Sequence, residues 1–448
     1  MARTYHIITF GCQMNVNDSE WLGRALQQRG FAPADLADAD VVIVNTCSVR
    51  DKPEQKVYSA LGRVRQVTRG RRSVLAVVAG CVAQQIGSGF FKRFPQVRLV
   101  VGSDGMAQAP DAIERLCAQP ALKLSLVDFS TEYPERDNAL DGGQTPPVAY
   151  VNIMQGCDNF CAYCIVPFTR GRQKSRSREA VLEECRSLLE GGAREITLLG
   201  QNVNSYGQDK CGDGTTFDRL LREVAALPGL ERLRFVTPHP KDISPDVIAA
   251  FGELPNLCPR LHLPLQAGAD RVLQRMGRKY DSAKFLRIVE DLRAARPDIA
   301  LSTDLIVGFP GETEEDFQET LRVMREAGFM SSFSFCYSDR PGARAALFPD
   351  KIAPAVQQDR LTRLQALQDE LGAAWLRGRV EDNVTLLLEN SSRKDSADGE
   401  SWQGRDAYGA AVNVLLPAGT GRCGLLLPAR ITEAKKHSLN AVPTGEAW

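Results

Sequence analysis

Apolar runs and amphipathic stretches alternate along the first 130 residues of the chain. Strand-like runs at 5–10, 40–45, 73–79 and 97–101 are separated by helical patterns near 17–29, 51–68 and 107–117. That alternation predicts a doubly wound parallel sheet. A run as continuously apolar as Val41-Val-Ile-Val44 fits a strand covered on both faces. The stretch 138–147 is polar, rich in Gly and Pro and without period, so it reads as a linker.

The alternation resumes at Ala149, with strands expected at 149–154, 195–199, 233–236, 260–265, 300–307 and 330–336. Six β/α units predict an incomplete (β/α)6 barrel, whose chemistry would sit at the carboxyl ends of its strands. Beyond residue 376 the helical pattern stops. Short apolar runs at 384–388, 411–416 and 424–431, punctuated by Gly, Ser and Asp, predict a small antiparallel β-barrel, with 390–400 as a polar loop. The expected divisions are 1–137 for the first α/β domain, 138–147 for the linker, 148–375 for the partial barrel and 376–441 for the β-barrel.

At 448 residues several domains are the natural expectation. The 55 basic and 55 acidic residues cancel, which neither argues for a nucleic-acid partner nor excludes one, because local basic faces bind phosphate. The N-terminus lacks the apolar core of a signal peptide, and no stretch reaches the roughly 20 apolar residues of a membrane span. A cytoplasmic protein without membrane contact is expected. Twelve cysteines in such a compartment point to metal or cluster ligation rather than to disulfides.

Two cysteine groups stand out. Cys157-Asp-Asn-Phe-Cys161-Ala-Tyr-Cys164 follows the first barrel strand directly, so three thiolates on one loop can turn to one point. Structural zinc sites usually pair two Cys-x2-Cys elements, and no second element of that kind occurs. Three ligands on a four-iron cluster leave one iron free for a small molecule. Cys12, Cys47 and Cys81 each follow a strand of the first domain, 35 and 34 residues apart. Parallel strands place such loops on one edge, where the three can converge on a second cluster. Cys117, Cys185, Cys211, Cys258, Cys336 and Cys423 have no such neighbours and receive no role, and the four histidines are scattered.

The spacing of Cys157, Cys161 and Cys164 resembles that of the radical S-adenosylmethionine superfamily. With Gly11-Cys-Gln-Met-Asn15, Asn45-Thr-Cys-Ser-Val-Arg50, Ala79-Gly-Cys-Val-Ala-Gln84 and Gln155 through Gly171, the chain resembles the methylthiotransferase family over nearly its whole length. Leu198-Leu-Gly-Gln-Asn-Val-Asn-Ser-Tyr206, His262-Leu-Pro-Leu-Gln-Ala-Gly268 and Ser302 through Thr313 also resemble that family's barrel.

The resemblance implies two [4Fe-4S] clusters and S-adenosylmethionine. Tyr163 would lie against the adenine, and Gly200, Gln201 and Asn202 would line the S-adenosylmethionine pocket, with Gln266 and Asp304 as further candidates. It implies sulfur insertion and methyl transfer at carbon 2 of N6-(dimethylallyl)adenosine beside the anticodon of tRNA. An electron donor such as a flavodoxin or ferredoxin and a sulfur donor would be partners. Relatives act instead on threonylcarbamoyl-adenosine in tRNA or on a ribosomal-protein aspartate. A rival from another class is a non-enzymatic RNA-binding protein with structural zinc.

Arg170, Arg172, Lys174, Arg176 and Arg178 follow the cysteine loop and are expected to grip RNA phosphates there. A second basic group, Arg63, Arg65, Arg69, Arg71 and Arg72, reads as a solvated face. The C-terminal region resembles the TRAM RNA-binding module, with Trp402 to Asp406 as its recurring turn, although 406–421 departs from that module's pattern.

Overall fold

The computed structural model describes residues 3–48, 53–71, 74–136, 145–391 and 399–448. Arg50, Arg72, most of the expected linker (its residues 138–144) and the centre of the 390–400 loop lie outside the described residues.

The first domain is a parallel sheet in the order Ala32–Pro33, Thr4–Thr9, Val41–Thr46, Leu75–Gly80, Val97–Val101, Leu124–Leu126. The two central strands are buried at every position. Their period of two divides the core. Val41, Ile43, Val77 and Ala79 pack with Trp21, Leu26 and Ile113 on one face, and Val44, Ala76 and Val78 pack with Val57, Leu61 and Phe90 on the other. The sequence pattern did not anticipate Leu124–Leu126, a short edge strand with no fully buried residue. Nor did it anticipate the short helices Cys81–Ile86 and Gly89–Arg93.

The middle of the chain carries two three-stranded parallel sheets. One holds Val148–Asn152, Glu195–Leu199 and Arg232–Phe235, the other Arg260–His262, Ala300–Val307 and Ser331–Cys336. A parallel bridge between Leu233 and Leu257 joins them into a partial barrel around one continuous core. The fourth strand ends at His262, short of the expected residue 265. Pro264 has no N–H to offer, the N–H of Leu265 turns to the hydroxyl of Thr303 at 2.9 Å, and Gln266 takes a φ of 72°. Past the first strand, Met154–Gln155 pairs antiparallel with Lys174–Ser175, which closes 156–173 into the cysteine-bearing loop.

The helix Pro354–Arg377 leads into a closed five-stranded barrel in the order Asn383–Ser391, Glu400–Arg405, Ala411–Leu416, Leu439–Pro443, Leu426–Ala434. The expected antiparallel barrel is corrected in one pairing, because Ala411–Leu416 and Leu439–Pro443 run parallel. Trp402 through Arg405 is strand rather than turn, with Trp402 opposite Val414. The turn begins at Asp406, whose carboxylate accepts the N–H of Ala410 at 2.9 Å. Leu426 and Trp448 exchange two backbone hydrogen bonds of 3.0 Å, so pairing runs past residue 441. Among the described residues no helix is long and apolar enough to cross a membrane.

Candidate active site

Cys12, Cys47 and Cys81 sit at the carboxyl ends of three adjacent strands, Thr4–Thr9, Val41–Thr46 and Leu75–Gly80. Buried polar groups stitch their loops together. The Asn15 amide donates to Asn45 Oδ1 and to the Thr46 carbonyl, both at 3.1 Å. Asn45 returns a bond to the Asn15 carbonyl at 2.9 Å, and the Thr46 hydroxyl reaches the Ala79 carbonyl at 2.8 Å. Two glycines permit the approach. A Cβ on Gly11, at φ 136°, would lie 2.5 Å from that of Cys47, and one on Gly80, at φ 89°, would lie 2.3 Å from the Thr46 carbonyl oxygen. A hydrogen bond with Cys47 outweighs burial and brings the Cys12 thiol down to about 5.

The second triplet is held by the barrel. The Cys157 N–H donates to Gly171 at 3.3 Å and the Cys164 N–H to Cys161 at 3.0 Å. Ala162, between Cys161 and Tyr163, is clamped by Met276 and Ala345 at 2.8 and 2.7 Å. Burial first, and then the neighbouring thiols, push Cys157 up to about 11 and Cys164 up to about 12. Cys157 and Cys164 are thus thiols in a dry place, where a nearby cationic centre favours their ionised forms. Among the described residues no three His, Cys, Asp or Glu side chains close tightly enough to hold a single metal ion. A cuboidal cluster asks for something else, each thiolate bonded to its own iron. Both triplets supply the soft donors such a cluster takes.

Gln201 connects the two groups. Its side chain accepts the N–H of Gly156, next to Cys157, at 2.5 Å, and its amide reaches the sulfur of Met14, two residues from Cys12. Asn202 is buried, bonded to Asp242 at 2.7 Å, and its Oδ1 has no partner among the described side chains. Gly200 lies against Met154, and Tyr163 is half-buried on the barrel core. Gln266 and Asp304 meet through their backbones at 2.8 Å, and the Asp304 carboxylate lies 3.3 Å from His262.

Sequence reasoning missed Arg278. Its buried guanidinium donates to Tyr280 Oη and the Pro264 carbonyl at 2.9 Å, to Tyr163 Oη at 3.3 Å and to Cys161 Sγ at 3.6 Å. It thereby ties the fourth strand's end to the cysteine loop. Exchanging Arg278 for Gln is expected to destabilise the fold by on the order of 3 kcal/mol and to weaken iron retention at Cys157, Cys161 and Cys164. Thermal unfolding and iron content check this; a variant as stable and as iron-rich as the parent contradicts it. His239, also missed, accepts the Lys241 N–H at 3.2 Å and leaves Nε2 unpartnered among the described residues. Burial, then the charge of Arg278, push it down to about 2, so it is neutral.

The basic run after the cysteine loop requires a correction. Lys174 is sealed against Asp104, both side chains 3% exposed. Arg176 is buried among the Asn152 carbonyl at 2.9 Å, Glu135 at 3.1 Å and Glu184. Arg170 is buried beside Asp18, and Arg178 pairs with Glu223 at 2.9 Å and Glu179 at 2.6 Å. Arg170, Lys174 and Arg176 therefore offer nothing to phosphate; they are counter-charges within the protein. Only Arg172 stands out, 71% exposed, paired with Asp158 at 2.8 Å and lying over the Phe160 ring at 5.0 Å. Exposed Phe160, Phe168 and Phe129 belong to the same rim: Phe129 packs on Gly171 and Phe168 on Gly342. In the other basic group Arg71 is bound to Asp40 at 2.9 Å, while Arg63, Arg65 and Arg69 face solvent.

Comparison with known proteins meets this geometry. Residues 151–324 match the Radical SAM superfamily, and residues 4–102 match Uncharacterized protein family UPF0004. A protein of Nitratidesulfovibrio vulgaris (strain DP4) named tRNA-2-methylthio-N(6)-dimethylallyladenosine synthase is 66% identical, covering 100% of this chain and 99% of that one. A protein of the same name from Oleidesulfovibrio alaskensis is 60% identical, covering 99% of each. Among solved structures, the radical S-adenosylmethionine methyltransferase TsrM from Kitasatospora setae superposes with a TM-score of 0.56 at 15% identity, over 78% of this chain and 74% of that one. At that identity the likeness is one of fold.

Proposed function

This chain belongs to the methylthiotransferase family of radical S-adenosylmethionine enzymes, and we propose that it inserts sulfur and a methyl group at carbon 2 of N6-(dimethylallyl)adenosine beside the anticodon of tRNA. The observation that supports this reading is that Gln201, just past a barrel strand, touches both cysteine-bearing loops, through Gly156 beside Cys157 and through Met14 near Cys12. Carbon 2 of adenine is an unactivated C–H position that side-chain acids and bases do not attack. When bound, a four-iron cluster with S-adenosylmethionine supplies radical chemistry able to remove that hydrogen.

Cys157, Cys161 and Cys164 would hold that cluster and leave one iron for S-adenosylmethionine. Tyr163, Gly200, Gln201 and Asn202 would flank the S-adenosylmethionine, with Gln266 and Asp304 across the strand ends. Cys12, Cys47 and Cys81 would hold a second four-iron cluster, the place of sulfur delivery. Arg278 orients Tyr163 and the Cys161 loop, and the Asn15–Asn45 pair fixes the first triplet. In this reading residues 1–137 carry the sulfur site, 148–375 the radical site, and 376–441 with its tail a TRAM-type RNA module. A one-electron donor such as a flavodoxin or ferredoxin and a sulfur donor complete the system.

An anticodon-loop adenosine is already unpaired, so turning it into a pocket costs less than extracting it from a duplex. Arg172, Phe160 and Phe168 take over the RNA contacts first read into the basic run: one cation for phosphate, two exposed rings for stacking. Stacking is worth about 1–3 kcal/mol per base. Phe160→Ala with Arg172→Gln should therefore raise the KM for tRNA about tenfold or more, with thermal unfolding unchanged because both side chains are exposed. An unaltered KM contradicts these contacts.

Mass spectrometry of tRNA nucleosides after incubation tests the reaction. The methylthio mass should appear on N6-(dimethylallyl)adenosine. Its appearance on threonylcarbamoyl-adenosine, or on no nucleoside, overturns the assignment.

A further inference from the structure

Arg170 belongs to the barrel by sequence and to the first domain by contact. It caps the short helix Val166–Thr169, donating its N–H to Val166 at 2.8 Å. That helix packs against Cys81–Ile86, and the Thr169 carbonyl accepts the Ser103 hydroxyl at 2.7 Å. The Arg170 guanidinium, 5% exposed, therefore lies at the helix that Cys81 begins, and besides Asp18 the groups whose charge it feels most are the thiols of Cys81 and Cys12. Asp18, 4% exposed, holds it from behind at 3.8 Å and is itself fixed by Arg136 at 2.6 Å. Asn17, the residue before Asp18, bonds the Tyr150 carbonyl at 2.7 Å and receives Asn152 at 2.8 Å, so the strut is anchored in the first barrel strand.

A buried cation has to be answered by negative charge. Asp18 is shared between two arginines and answers only part of it. The remainder is the thiol site, which becomes anionic when it holds iron. We propose that Arg170 is a positioning residue, supplied by the barrel across the domain boundary as counter-charge of the Cys12, Cys47 and Cys81 site, raising that site's reduction potential and tying it to the barrel mouth. This rests on the reading that those thiols hold a four-iron cluster. Three thiolates on such a core leave a net negative charge, and one-electron reduction adds another. A cation buried beside the sulfurs stabilises the more negative, reduced state. Removing the cation lowers the potential, and restoring it with a different side chain recovers it.

The test uses the full chain with Cys157, Cys161 and Cys164 replaced by Ala, so that any remaining signal belongs to the N-terminal site. Potentiometric titration followed by electron paramagnetic resonance compares Arg170, Arg170→Gln and Arg170→Lys in that background. A lower midpoint potential in the Gln variant and a value near the parent's in the Lys variant support the proposal. An unchanged potential in a Gln variant that keeps its cluster overturns it. If the Gln variant holds no cluster, iron and sulfide content decides: a Lys variant with the parent's complement supports the proposal, and one as empty as the Gln variant overturns it. A background chain that takes up no iron with Arg170 in place defeats the two-cluster reading itself, and the proposal with it.

Discussion

Replacing Cys161 by Ala will abolish formation of 5'-deoxyadenosine from S-adenosylmethionine. The loop supplies three thiols, one donor for each of three irons of the cluster read into it. With two donors left, the site loses the charge and bonds that hold a four-iron cluster. The Arg278 guanidinium, bonded to Cys161 at 3.6 Å, would also lose its sulfur partner in a buried position. The rate should fall to that of buffer without protein, measured by chromatography of the nucleoside product under reducing conditions. Undiminished formation rejects the assignment of this triplet.

Replacing Cys12, Cys47 and Cys81 together by Ala will remove the methylthio product from tRNA, while 5'-deoxyadenosine continues to form from the intact barrel triplet. The two activities separate because the triplets belong to different domains, each built on its own set of strand ends. Single replacements should act nearly as strongly. Each of the three thiols comes from a different strand end, so removing one leaves its corner of the site without a donor. Mass spectrometry of the tRNA beside the nucleoside assay checks both halves. Methylthio product from the triple variant at the parent's level contradicts the role given to this site.

What the sequence revealed, and what it did not, divides along range. Val41 to Val44 reads as a buried strand because its pattern is local, and the cysteine groups read as clusters because spacing along β/α units maps onto one sheet edge. The glycines that let those loops approach, Gly11 and Gly80, lie beside the cysteines and within the same motifs. Burial of the basic run was not legible, since the partners of Lys174 and Arg170 are Asp104 and Asp18, far back in the chain. A charged residue looks the same in sequence whether it faces water or a buried carboxylate. Arg278 and His239 escaped for a related reason: neither lies in a motif, Arg278 gains its character from burial beside Tyr163, Tyr280 and Cys161, and His239 from burial near the charge of Arg278. In the last domain Trp402 to Asp406 resembles the recurring turn of the TRAM module, yet Trp402 to Arg405 is strand and Trp402 is buried in the barrel core.

The buried Lys174–Asp104 pair and the Arg170–Asp18 contact give the domain junction a physical identity. Breaking such a pair by removing one partner costs about 3–5 kcal/mol, whereas exposed pairs contribute little. Arg170, Lys174 and Arg176, which looked like part of an RNA grip, instead pair with Asp18, Asp104 and Glu135 and hold the first domain against the barrel.

Iron and acid-labile sulfide in anaerobically purified protein test the central claim most directly. The account predicts about eight irons per parent chain, and about four in the variant lacking Cys12, Cys47 and Cys81. A parent with about four irons, unchanged when those three thiols are removed, would contradict it.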